Sequence, residues 1–127
     1  MRQRSNDSSS GLLVDNNRHL TVDIARTGSA ITISVAGELD IAGRDLVVTT
    51  VEQVLAGRRH LQTMRVDVTA VTFIDSAGLR SLTLACENAR HHGLVFYLVV
   101  ARSGPVGDFL VLAEMTDWFQ THSGATR

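Results

Sequence analysis

Between Leu20 and Leu110 the spacing of apolar residues changes back and forth between two and three-to-four, and a chain with that pattern folds as strands and helices in turn. Leu20, Val22 and Ile24 alternate, as do Ile31, Ile33 and Val35 after the turn signal Thr27-Gly28-Ser29, which predicts a β-hairpin. Over residues 44–55, Val47, Val48, Val51, Val54 and Leu55 have the spacing of an amphipathic helix, closed by Gly57. Met64, Val66 and Val68 alternate as a third strand. A second helix is expected to start near Ser76, with Leu79, Leu82, Cys86 and Ala89 on its buried stripe, and to stop at Gly93. Residues 94–100 are apolar on both faces, which predicts a strand covered by helices on either side or central in the sheet. Ser103 or Gly104 caps a third helix that has Pro105 in its first turn and Val106, Phe109, Leu110 and Ala113 as its buried stripe. Trp118 and Phe119 then close the core from a final short helix. The order β-β-α-β-α-β-α-α implies an α/β fold, a mixed sheet with an N-terminal hairpin, crossover connections and about four helices.

With 127 residues and 44% hydrophobic content, the chain closes one core. The expected organisation is a flexible tail over 1–18, rich in Ser, Asn, Asp and Arg, a domain over 19–122 and a short tail over 123–127. The longest apolar run, 94–101, falls far below the roughly 18 residues of a membrane span, and the N-terminus lacks the apolar core of a secretory signal. A cytoplasmic protein without a membrane association is expected. The formal net charge of −1, with arginines scattered along the chain, provides no basic stripe for nucleic acid. The one cysteine, Cys86, has no intrachain partner and reads as core packing. All 12 basic residues are Arg. Without Lys there is no Walker A loop, no Schiff-base amine and no receiver domain of the phospho-aspartate kind.

The informative segment is Asp67-Val68-Thr69-Ala70-Val71-Thr72-Phe73-Ile74-Asp75-Ser76-Ala77-Gly78-Leu79. It reads as a strand end, a loop through Phe73-Ile74, and Asp75-Ser76 where the next helix begins, at the carboxyl edge of the sheet. Ser76 fits a helix N-cap, a role worth about 0.5–2 kcal/mol, as well as it fits a functional hydroxyl. A hydrolase nucleophile elbow needs Gly two residues before the Ser, where this chain has Ile74. His19, His60, His91, His92 and His122 are scattered and form no i, i+4 pair, so no metal site is expected; His91-His92 suits a helix C-terminus.

Two motifs carry a resemblance. Gly37-Glu38-Leu39-Asp40 is similar to a Gly-x-Leu-Asp motif, and Asp75-Ser76-Ala77-Gly78-Leu79 matches Asp-Ser-(Ser/Thr/Ala)-Gly-Leu. In this order, within a β-β-α-β-α pattern, residues 20–120 resemble a STAS domain of the anti-sigma factor antagonist family. The chain departs from that family in reading Glu114-Met115 where Gly and an aliphatic residue are frequent, and Ala42-Gly43-Arg44 where a Pro is frequent.

The resemblance implies the STAS fold, no enzymatic activity and no cofactor. It implies an antagonist that binds an anti-sigma factor serine kinase by partner switching and so releases a sigma factor. The kinase phosphorylates Ser76, which ends binding, and a serine phosphatase of the metal-dependent type resets the cycle. Asp40, Asp75, Ser76, Gly78, Leu79, Arg80 and Thr83 are the partner-binding residues expected on this basis. Asp40 fits equally a turn carboxylate before the first helix. The sequence leaves homodimerisation open, and the alternative function is a STAS regulatory subunit of a membrane transport assembly.

Overall fold

The computed structural model describes residues 10–14, 19–57, 60–113, 119 and 121–123. The elements are β1 (Ser10–Val14), β2 (Leu20–Thr27), β3 (Ala30–Leu39), α1 (Arg44–Ala56), β4 (Thr63–Ile74), α2 (Ser76–His91), β5 (Val95–Val100), α3 (Pro105–Leu112) and β6 (Thr121–Ser123). One six-stranded sheet holds the strands in chain order. β1, β2 and β3 pair antiparallel, whereas β3 to β6 are parallel. The expected hairpin closes through Gly28-Ser29, where Gly28 takes φ +62, a left-handed value that costs glycine nothing.

Each parallel strand is added on the same side of the one before it, and right-handed crossovers then place α1, α2 and α3 on one face. The burial agrees. Ile33, Val66 and Leu98 lie side by side and are wholly buried, while the neighbouring row of Thr32, Arg65 and Tyr97 is only half-buried. On that second face the Arg65 guanidinium sits 5.8 Å from the Tyr97 ring centroid. The strand at 94–100 is therefore covered on one face, not two: Phe96 and Leu98 are buried, but Val95 is 44% exposed. The helical stripes fall as expected on α1 and α2, with Val47, Val51, Leu55, Leu79, Leu82, Cys86 and Ala89 in the core. Val48 and Val54 of α1 are half-buried. In α3, which opens with Gly104 as N-cap and Pro105 in the first turn, Val106 and Leu110 are buried, but Ala113 is exposed just past the helix end.

Three expectations change. The described residues hold three helices, not about four: Trp118 lies outside them, and Phe119 is buried against Phe96, at 6.3 Å between rings, shortly before β6. Residues 10–14, expected within a flexible tail, form β1, because the free edge of β2 supplies the backbone partners that this short apolar segment cannot supply itself. Finally, β4 does not stop before Phe73 but runs to Ile74.

The reason for this last change is a pair of bulges. The β3–β4 register slips between Ser34 and Ala36 and again between Gly37 and Glu38. Val68 and Thr69 together oppose Val35, so the buried positions pass from Met64, Val66 and Val68 to Val71 and then Ile74. The Asp67 carboxylate accepts hydrogen bonds at the first bulge from the Thr69 amide (2.9 Å) and hydroxyl (2.7 Å). At the second, Gly37 has φ +107, and a Cβ there would collide with the His19 carbonyl, which accepts the Glu38 amide at 2.8 Å.

Candidate functional site

Leu39 and Ile74 are register partners at the ends of two parallel strands, so the residues that follow them, Asp40 and Asp75, leave the sheet side by side at its carboxyl edge. Both motifs found in the sequence meet there. Asp75 has extended backbone (φ −121, ψ −173) and is the N-cap of α2, its Oδ1 accepting the Gly78 amide at 2.9 Å. Ser76 is thus the first helical residue and not the cap. It is exposed.

Asp40 is a turn carboxylate. Its Oδ1 accepts the amides of Ala42 (3.0 Å) and Gly43 (3.2 Å), and its carbonyl accepts the Arg44 amide, which together fix the entry into α1. The two acidic residues therefore shape the loops that frame Ser76, each spending one oxygen on the backbone.

Gly78 and Leu79 are not surface contacts, contrary to expectation. Both are buried, because the first turn of α2 lies directly on the end of β3: a Cβ on Gly78 would sit 2.0 Å from the Leu39 carbonyl oxygen. Leu79 joins the core. Ser81, also buried, donates to the Gly78 carbonyl at 2.6 Å. Arg80 is exposed, as expected for a contact residue, while Thr83 is half-buried with its hydroxyl on the Arg80 carbonyl at 2.8 Å.

Two residues not among the expected partner-binding residues lie at the same edge. Ile41, next to Asp40, is 70% exposed, and Phe73, two residues before Asp75, is 48% exposed. These two large apolar side chains come from distant points of the sequence to the edge that presents Ser76. Ile41 could have been noticed as an aliphatic residue stranded between Asp40 and Ala42-Gly43. Phe73 falls on the outward side of the period of two set by Met64, Val66 and Val68, a parity that the two single-residue bulges together leave unchanged, but a loop reading of Phe73-Ile74 hides it.

At the same end, His19 is hydrogen-bonded to Glu38 at 2.9 Å between Nδ1 and Oε1. At the far end of α2, His92 caps the helix, its Nδ1 2.9 Å from the Asn88 carbonyl, and its ring stands edge-on to His91. Cys86 is fully buried, and burial pushes its thiol up from the ordinary range despite the nearby Arg90 charge. Among the described residues no three His, Cys, Asp or Glu side chains are grouped to hold a metal ion, and no helix is long and apolar enough to cross a membrane.

Among curated proteins none matches the chain significantly. Solved structures share its fold. An anti-sigma factor antagonist from Mycobacterium paratuberculosis superposes with a TM-score of 0.73 at 20% identity, covering 88% of this chain and 92% of the other. The anti-sigma factor antagonist SpoIIAA in its unphosphorylated form gives 0.61 at 13% identity, over 82% and 89%. A serine-to-glutamate variant of RsbS from Moorella thermoacetica gives 0.62 at 20% identity, over 82% and 87%. The family model described as "Mlab, STAS domain" matches residues 16–119, a span that takes in both motifs, the crossover helices and the edge where Asp40 and Ser76 meet. With sequence and fold in agreement over that length, the chain belongs to the STAS domain family.

Proposed function

We propose that this protein is an anti-sigma factor antagonist whose binding face surrounds Ser76 and is switched off by phosphorylation of that residue. In this reading it binds an anti-sigma factor serine kinase in the cytoplasm and thereby frees a sigma factor. A serine phosphatase of the metal-dependent type restores the unmodified form. ATP and the catalytic groups belong to the partners, and the chain performs no reaction itself.

The observation that carries the proposal is the division of labour within Asp75-Ser76-Ala77-Gly78-Leu79. Asp75 caps, Gly78 and Leu79 pack, and Ser76 alone offers an exposed hydroxyl, which makes no hydrogen bond among the described residues. A serine in that position is accessible to a kinase. Its phosphate would lie at the positive end of the α2 dipole and so leave the domain folded, while adding nearly two negative charges to the edge at which Ile41 and Phe73 are also exposed. Structural neighbours described as an unphosphorylated form and as a serine-to-glutamate variant support a switch of this kind.

The test is intact-mass analysis after incubation with candidate anti-sigma kinases and ATP. A gain of one phosphate that disappears in Ser76→Ala supports the proposal; no gain with any kinase that binds the chain refutes it. The matching family model takes its description from Mlab and not from an anti-sigma protein, which favours weighing a second reading, a regulatory subunit of a membrane transport assembly. That reading requires stable association with membrane components and no dependence on the kinase, so co-purification from solubilised membranes separates the two.

A further inference from the structure

We propose that Arg80 clamps the phosphate of phosphorylated Ser76, so that modification removes a free positive charge from the recognition face while adding its own negative charge. The inference rests on the reading of Ser76 as the phosphorylated residue and adds how the modified state is held.

Ser76 and Arg80 lie four residues apart on α2, and both are exposed. Helical side chains lean toward the N-terminus, which carries the Arg80 guanidinium back over the turn that bears Ser76. An anion placed four residues before a cation is also the favourable order for a helical ion pair. The surrounding acids make no ion pair with Arg80 among the described residues. Asp75 holds the Gly78 amide, and Asp40 holds the amides of Ala42 and Gly43. A planar guanidinium presents paired N–H donors that match two phosphate oxygens, a fit an ammonium lacks. Asp75 and Asp40, as like charges close by, oppose the second ionisation of the phosphate. Arg80 favours it.

The experiment uses the full chain with phosphoserine installed at position 76 during translation, which makes the outcome independent of any kinase. The phosphate is titrated by phosphorus NMR in the Arg80 protein, in Arg80→Gln and in Arg80→Lys, with circular dichroism to show that all three are folded. The second ionisation in the Arg80 protein is expected about 0.15–0.4 pH below that in Arg80→Gln, the size to which an i, i+4 ion pair converts, with Arg80→Lys between them. The Arg80 Nε–H resonance should also move on phosphorylation. Coincident titrations in the Arg80 protein and Arg80→Gln overturn the clamp. A failure of the parent reading looks different, since it is the absence of any kinase-dependent gain in mass on the unmodified chain.

Discussion

Asp75 and Ser76 are neighbours of similar size, yet their truncation should have unequal consequences. Asp75→Ala removes the acceptor for the Gly78 amide and is expected to cost about 0.5–2 kcal/mol in urea denaturation. Ser76→Ala removes an exposed hydroxyl at the first helical position, where the expected change stays within about 0.5 kcal/mol, and binding to the kinase partner should persist without being switched. If the two costs came out reversed, Ser76 would be the cap and its hydroxyl would not be free for modification. The composition of the motif does not separate these residues, because Asp and Ser are equally good caps; the backbone does, turning helical only after Asp75. Gly78 shows the same limit. Its place in the motif marks it, but only the Leu39 carbonyl against it says that it serves packing and not contact.

The elements with clean periodicity were legible from the sequence: the hairpin, α1, α2 and α3 follow from apolar spacing, and Gly28, Gly57 and Pro105 mark their limits. Where a segment depends on a partner for its order, the pattern is silent. β6 is Thr121–Ser123, with no apolar alternation at all, and forms by pairing with β5. The far half of β4 is hidden for a different reason, since each bulge moves the inward position on by one residue and breaks the period of two. The shift puts Val71 inward and Ala70 and Thr72 outward, and the second bulge restores the original parity, with Phe73 outward and Ile74 inward. Ile41→Ser and Phe73→Ser should each weaken partner binding by about tenfold, near 1.4 kcal/mol, in calorimetric titration while leaving the circular dichroism spectrum unchanged. Undiminished affinity in both would place the interface elsewhere. On the buried side of α2, the raised ionisation of Cys86 makes a separate prediction. As pH rises past the ordinary thiol value of about 8.5, the thiol ionises in the unfolded chain before it does in the folded one, so stability falls. Denaturation midpoints measured from pH 7 to 10 should drop less steeply in Cys86→Ala than in the unsubstituted protein.

For the molecule as a whole, folding and recognition are expected to respond separately to modification. Phosphorylation of Ser76 should lower affinity for the anti-sigma partner by at least about 100-fold, roughly 3 kcal/mol, since an interface closed over that residue must desolvate a phosphate of nearly two charges that the single charge of Arg80 does not neutralise. Thermal melting of the phosphorylated protein should stay within a few degrees of the unmodified form, because the core lies between the sheet and its helices and the phosphate does not enter it. Loss of affinity accompanied by loss of helix signal would mean that the modification acts by unfolding. The same layout has a practical side. The parallel strands send Asp40 and Ser76 to one end, while the opposite end gathers Ser29, Gln62 and Val95, where the Ser29 carbonyl accepts the Gln62 amide at 2.8 Å and the Gln62 carbonyl accepts the Val95 amide at 2.9 Å. Between them runs β3, ten residues or about 33 Å of rigid backbone. That strand is a ready-made standoff: a dye, an affinity handle or a surface anchor placed at the Gly28-Ser29 turn would hold the protein by its far pole and leave the edge that carries Ser76 facing outward into solution.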